Sequence, residues 1–163
     1  MFFCNPMPII KLETVVEAPI ERVFDLVRCI DLHAATMKNH NEKAVDGITK
    51  GLINPNETVT WEATHFGVRQ KLTSKITSFN RPHHFQDAMV SGAFKRFTHD
   101  HYFTEINSGT SIEDVFDYES PLGILGKIAD AVFLENYMQN LLAERNLLIK
   151  RVAESDEWWK FLE

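Results

Sequence analysis

Two histidines separated by one residue, His99 and His101, are the side chains of this sequence best placed to do chemistry. On a strand, side chains at positions i and i+2 point the same way, with about 7 Å between their Cα atoms. Either histidine could act as a general base with Asp87 as its orienting carboxylate, and Asp87 with His99 could form an acid–base pair. His99, His101 and Asp87 are therefore the candidate catalytic residues of an acid–base enzyme.

The same two histidines could share a metal ion if Asp87 or His65 supplied a third ligand. No sequence spacing fixes that encounter, so the favoured interpretation is a pair of pocket-lining histidines that hydrogen-bond a ligand or water. Histidines satisfied inside the core are the third interpretation. The sequence also contains no GxSxG, GxGxxG, P-loop or HExxH motif. We predict no metal site and no cofactor.

Composition and charge argue against several classes of partner. The 163 residues carry 44% hydrophobic and 25% charged side chains, which indicates one globular domain. The net charge of −6 argues against nucleic acid and against docking on anionic membranes. Cys4 and Cys29 form no CxxC pair and indicate a reducing compartment. Without a signal peptide or an apolar run of about 18 residues, the sequence predicts a cytoplasmic protein and leaves its oligomeric state open.

Hydrophobic periodicity predicts the elements that position these residues. A strand is predicted over residues 9–17, a helix that begins at Pro19, and a second short helix or a loop over 31–40. The apolar stripe of the first helix is Ile20, Val23, Phe24, Val27 and Ile30. Further strands are predicted over residues 58–66, 68–79, 84–91, 93–106 and 110–119.

Alternation within these strands places polar side chains among apolar ones on a single face. A filled apolar core would penalise each unpaired polar group by roughly 2–7 kcal/mol, so their number predicts a wet or ligand-filled interior. A bulge or register shift that turns some of them to solvent is the alternative. The polar set is His65, Gln70, Asp87, His99, His101, Asp114 and Tyr118. The predicted apolar walls are Trp61, Leu72, Phe85, Met89, Phe97, Phe103, Phe116, Met138 and Leu141.

The C-terminal region predicts helix with two apolar stripes that are out of phase. A straight helix burying one face would hold its phase, so we predict a kink, or a short helix followed by a long one, near residues 133–135. A helix packed on two sides is the alternative. Residues 121–126 are a candidate gate. The first stripe is Ile124, Leu125, Ile128, Ala129 and Val132, and the second is Leu134, Met138, Leu141, Leu148 and Val152.

The junction Glu17-Ala18-Pro19-Ile20-Glu21-Arg22-Val23-Phe24 and the segments 61–70 and 85–103 resemble the START-like SRPBCC superfamily. That group includes polyketide cyclase/dehydrase, CoxG-like and Bet v 1-like proteins, and a bacterial subgroup described only as ligand-binding or uncharacterised. The resemblance covers nearly the whole chain. It implies an α+β helix-grip fold, in which a curved antiparallel sheet wraps a long C-terminal helix over a cavity, with two short helices after the first strand. It also implies binding of lipid-, sterol- or polyketide-like molecules, by members that are enzymes, carriers or adaptors.

We therefore predict one ligand-binding domain over residues 1–163, with peripheral tails at 1–8 and 156–163. It binds a small, mostly hydrophobic molecule between the sheet and the C-terminal helix, oriented by His65, Gln70, Asp87, His99, His101 and Tyr118. The alternatives are a cyclase, dehydratase or isomerase that uses His99 or His101 as base with Asp87, and an adaptor that binds protein. An adaptor would use a sheet edge or the Trp158-Trp159 tail, which could otherwise simply fold back on the core.

Overall fold

The computed structural model describes residues 8–120 and 133–163 of the chain. Seven strands form one antiparallel sheet, with two short helices after the first strand and a long helix near the C-terminus. The strands are β1 (Ile9–Val16), β2 (Lys43–Gly47), β3 (Thr58–His65), β4 (Val68–Asn80), β5 (His84–Ser91), β6 (Arg96–Ile106) and β7 (Gly109–Glu119). The α-helices are α1 (Ile20–Val27), α2 (Ile30–Thr36) and α3 (Glu135–Glu154), and short 3₁₀ turns cover Lys38–His40 and Trp158–Phe161.

The sheet runs in the order β1-β7-β6-β5-β4-β3-β2, so each strand from β2 to β7 pairs with its neighbour in sequence. Two register shifts in β4, between Thr73 and Ser74 and between Ile76 and Ser78, bend the sheet. Past the second shift Phe79 packs on the core while Ser78 is exposed, which reverses the alternation expected from the sequence. The bent sheet and α3 together form the predicted α+β helix-grip fold.

The first helix is shorter than its apolar stripe. Pro19, with φ −59° and ψ 145°, precedes α1, which buries Ile20, Val23, Phe24, Leu26 and Val27. The predicted stripe continued to Ile30, but the chain turns at Arg28 and Cys29, and Ile30 begins α2. Cys29 pairs with Leu52 in an isolated β-bridge, which ties this turn to the chain before β3.

The buried stripe of α3 is rotated from the predicted one. Met138 belongs to both, whereas Leu141, Leu148 and Val152 lie half-buried on its flank. The side chains that α3 buries are Met138, Leu142, Arg145, Asn146, Ile149 and Ala153. The predicted first stripe and the candidate gate lie outside the described residues. The predicted kink falls at their edge and stays a prediction.

Two apolar clusters fill the space between sheet and helices. The first cluster joins α1 and α2 to the sheet around Phe24. The Phe24 ring lies edge-on to the rings of Phe79, Phe85 and Phe103, with centroid distances of 5.4, 5.4 and 5.1 Å. The second cluster joins α3 to β1, β6 and β7. Its buried members are Ile10, Phe97, Phe116, Tyr118, Met138 and Leu142.

The C-terminal tail folds back onto the first cluster. Trp158, Phe161 and Leu162 pack against that cluster, and the Arg22 guanidinium lies 4.3 Å from the centroid of the Trp158 ring. Trp159 remains 44% exposed. Among the helices that the structure describes, none is long and apolar enough to cross a membrane.

Candidate functional site

A buried polar belt separates the two apolar clusters on the inner face of β6 and β7. Along β6 the inward positions are Phe97, His99, His101 and Phe103, and all four side chains are buried. The register sets His101 opposite Asp114 on β7. The polar side chains therefore lie at mid-strand, with aromatic residues toward either end.

Asp114 is the centre of this belt and is 1% exposed. Its Oδ1 lies 2.9 Å from His99 Nε2 and 2.8 Å from His101 Nδ1, and its Oδ2 accepts a hydrogen bond of 2.5 Å from Asn146 Nδ2. An ionised carboxylate only accepts hydrogen bonds, so both histidine nitrogens carry protons and donate. Asp114 thereby fixes the orientation of both rings.

His101 is held between two carboxylates. Its second ring nitrogen, Nε2, lies 3.0 Å from Asp87 Oδ1 on β5. Burial would lower the pKa of His101, but its hydrogen bonds to Asp114 and Asp87 raise the pKa above its usual value. With both nitrogens donating to carboxylates, His101 is an imidazolium ion.

The protonation states of Asp114, Asp87 and His99 determine the remaining charges of the belt. Burial opposes ionisation of Asp114, yet the hydrogen bonds from His101 and His99 hold its pKa well below the usual value. Burial also opposes ionisation of Asp87, and the hydrogen bond from His101 lowers its pKa. Burial lowers the pKa of His99 to about 4, and the charge of His101 acts in the same direction. Near pH 7 His99 is neutral, and because its Nε2 carries the proton, its Nδ1 offers a lone pair.

Arg145 and Asn146 bring α3 into the belt, and neither was predicted from the sequence. Arg145 is 4% exposed, and its Nη2 lies 3.6 Å from Asp114 Oδ1. Asn146, 2% exposed, also donates to Thr14 Oγ1 at 3.2 Å. A charged residue in a helix is usually assigned to the solvent face, which is why Arg145 was missed. Met138, Leu142 and Ile149 recur at helical spacing, and that signal places position 145 on the buried face.

A cavity of about 80 Å³ opens beside the belt, between the sheet and the turn from α1 to α2. Its polar side is formed by Asp87, His99, His101 and Arg145, with Ser74 and His33 nearby. Its apolar side includes Val27, Ile30, Ile53, Val59, Trp61, Ile76 and Phe85. The cavity is therefore amphipathic, with Asp87, His101 and Arg145 on the side of the belt and Arg28 at the turn from α1 to α2.

Asp87, His99 and His101 could also hold a metal ion, because each offers one ligand atom and these atoms lie within 4.8 Å of one another. Ligand bonds of about 2.1 Å allow at most about 4.2 Å between two ligand atoms, so the group would have to close around an ion. Binding there would also displace the proton that His101 donates to Asp87. Proton transfer needs no such change, since neutral His99 and ionised Asp87 both face the cavity.

The predicted site residues separate into four groups. Five line the cavity: Trp61, Phe85, Asp87, His99 and His101. Seven lie in or against the second apolar cluster: Leu72, Met89, Phe97, Phe116, Tyr118, Met138 and Leu141. Phe103 belongs to the first cluster. Neither His65 nor Gln70 lines this cavity: His65 Nδ1 lies 2.7 Å from the Tyr137 hydroxyl, and Gln70 pairs with Ala63 at the far end of β3.

Solved structures share this fold at low sequence identity. TTHA0849 from Thermus thermophilus is 18% identical with a TM-score of 0.69, over 87% of this chain and 97% of that one. CV1439 from Chromobacterium violaceum is 14% identical with a TM-score of 0.70, over 91% and 98%. Ginseng major latex-like protein 151 from Panax ginseng is 13% identical with a TM-score of 0.68, over 91% and 99%. These likenesses concern the fold alone.

Comparison with sequence models of protein families identifies the family as well as the fold. Comparison with curated proteins gives no match. The sequence model of one family, described as polyketide cyclase/dehydrase and lipid transport, matches residues 16–145. The match runs from the end of β1 to Arg145 and therefore includes the whole polar belt except Thr14 and Asn146. The chain belongs to the polyketide cyclase/dehydrase and lipid transport family, within the START-like SRPBCC superfamily.

Proposed function

We propose that this protein binds a small, mostly hydrophobic molecule whose polar end lies in the cavity beside Asp87, His99, His101 and Arg145. The amphipathic cavity carries the proposal, since it brings apolar walls and a few convergent polar groups together. Ligand sites are typically of this kind, because apolar contact supplies affinity and a few polar groups fix orientation. Membership of a cyclase and lipid-transport family supports the same class of guest.

The size of the cavity bears on which part of the guest it holds. Its 80 Å³ has room for several water molecules, each of which needs about 10–15 Å³. Sites for whole drug-sized ligands are larger, at about 300–1,000 Å³. The polar end of the guest lies against the belt, and its apolar part lies along the first apolar cluster, whose residues form the apolar side of the cavity. Leu52 and Leu72, which pack against that cluster and are only partly buried, are the side chains that move to admit it.

Native mass spectrometry of the protein purified from its own host, followed by denaturing extraction, tests this proposal. A co-purified organic molecule near one-to-one stoichiometry is the expected result. Its retention time on reversed-phase chromatography measures how apolar it is. Bare protein that also fails to take up the apolar fraction of a host-cell extract would contradict the proposal.

A second candidate function, an acid–base enzyme of the cyclase, dehydratase or isomerase type, is favoured by the state of His99. A neutral imidazole with a lone pair beside an ionised carboxylate, both facing a cavity, can accept and return a proton. Incubating the extracted guest with the protein tests this function. An isomeric or dehydrated product that forms with the unaltered protein but not with His99→Gln would support it. An unchanged guest would contradict the enzymatic function and leave binding as the only proposed function.

A further inference from the structure

The guanidinium of Arg145 is buried without adequate partners. Its Nε has no hydrogen-bond partner among the described residues, although the side chain is 4% exposed. Nη2 lies 3.6 Å from Asp114 Oδ1, an ion-pair distance that is too long for a hydrogen bond. His101 Nδ1 lies 3.5 Å from Nη2, but that nitrogen already donates its proton to Asp114.

The neighbouring carboxylates cannot turn to satisfy Arg145. Oδ1 of Asp114 already accepts two hydrogen bonds, from His99 and His101, and Oδ2 accepts one from Asn146. Asp87 is held by His101 at 3.0 Å. A buried guanidinium N–H that lacks an acceptor is disfavoured, and guanidinium groups cannot lose their proton in proteins. Since Arg145 lines the cavity, a hydrogen-bond acceptor on a bound molecule can supply the partner that its Nε–H lacks.

The charges of the buried side chains determine which hydrogen-bond acceptor a ligand can offer to Arg145. The two carboxylates, Asp87 and Asp114, are balanced by the two cations, His101 and Arg145, so the buried group is neutral. A ligand carboxylate would add a third negative charge to a wall that already holds ionised Asp87. Like charges at short range in a buried site repel strongly. An uncharged oxygen acceptor adds no charge and still accepts from the guanidinium.

We propose that Arg145 determines specificity for the polar end of the guest by donating to an uncharged oxygen acceptor, such as a ketone carbonyl, and that the site discriminates against carboxylates. This inference rests on the proposed binding function and names the chemical class of the guest. Arg145 is a binding residue here, since its guanidinium contacts the ligand oxygen. Asp114 is a positioning residue, since it acts by holding the two histidines.

Three probes of similar size separate the possibilities: acetophenone, benzoate and ethylbenzene. Titration of ¹⁵N-labelled protein gives the affinity of each probe from backbone shifts near the cavity. The Arg145 Nε–H resonance, identified by its loss in Arg145→Lys, reports contact with the ligand oxygen. Arg145→Met tests the effect on affinity. Arg151→Met, which alters an exposed arginine on the same helix, is the matched control.

Acetophenone is expected to bind about tenfold or more tightly than ethylbenzene or benzoate, which is the fold-change of one hydrogen bond to a charged donor. It should shift the Arg145 Nε–H resonance, and its preference should vanish in Arg145→Met but persist in Arg151→Met. Equal binding of ethylbenzene and acetophenone would overturn the inference and leave the binding function intact. Tightest binding of benzoate would also overturn it. If no probe binds and no co-purified guest is found, both the inference and the proposed function fail.

Discussion

His101 Nε2 lies 3.0 Å from Asp87 Oδ1, although Asp87 stands directly opposite His99 in the register between β5 and β6. The contact is therefore diagonal across the strand pair. His99 is turned instead toward Asp114 on β7, at 2.9 Å. The two neighbouring rings, whose centroids are 3.9 Å apart, therefore differ in protonation state: His101 is charged and His99 is neutral.

Removing the charge of Asp114 should destabilise the fold. Asp114→Asn keeps the shape of the side chain but leaves the imidazolium of His101 without one of its two carboxylates. Breaking a buried ion pair on one side typically costs about 3–5 kcal/mol. We expect a loss of this size in the free energy of unfolding, measured with urea.

Asp100→Asn is the matched control for that experiment. Asp100 pairs with His84 at 2.7 Å, but their side chains are 17% and 20% exposed. A more exposed pair contributes about 0–1 kcal/mol, so the loss should be much smaller. Equal losses for the two variants would show that the contacts of Asp114 contribute no more to stability than the Asp100–His84 pair.

The low pKa of His99 predicts a pH dependence of stability. The unfolded histidine has a pKa near 6.5 and the folded one about 4, so the stabilising effect is complete above pH 6.5 and is lost as the pH falls toward 4. His101, whose folded pKa is raised, is protonated in both states well below pH 6.5 and adds no slope there. Between about pH 6 and pH 5 the free energy of unfolding should fall by up to about 1.4 kcal/mol per pH unit through His99.

Unfolding curves of His99→Gln at several pH values check this effect. The variant should have a shallower slope than the unaltered protein between pH 6 and pH 5. Parallel slopes for His99→Gln and the unaltered protein would mean that His99 takes up its proton over the same pH range in the folded and unfolded states.

His65 is predicted from the sequence to orient the guest, but in the structure it hydrogen-bonds Tyr137 outside the cavity lining. We therefore expect His65→Gln to change guest affinity by less than about twofold. His99→Gln should weaken binding several-fold, because it alters a cavity wall. Isothermal titration with the extracted guest measures both. A larger effect at His65 than at His99 would move the site toward the β3–β4 hairpin.

The sequence contains enough to predict β6 and β7, because strict alternation over ten or so residues allows a single inward face. That alternation correctly placed His99, His101 and Asp114 inside. It could not assign the partner of each ring, since the diagonal contact of Asp87 with His101 depends on strand register and side-chain rotamers. Helix periodicity was less decisive. The spacing of Met138, Leu142 and Ile149 marks position 145 as buried, but Asp114, its partner in the belt, is distant in sequence and is not predicted by that spacing.

The most direct test of the central claim is to fill the cavity and measure whether the guest is retained. Ser74 lines the cavity and is 5% exposed, so Ser74→Leu places an apolar side chain in it. Thr77→Leu adds similar bulk at an exposed position on the same strand and is the control. Native mass spectrometry of the three proteins from the same host should show the guest on the unaltered protein and on Thr77→Leu, with most of it lost from Ser74→Leu. Full retention by a folded Ser74→Leu variant would contradict the account.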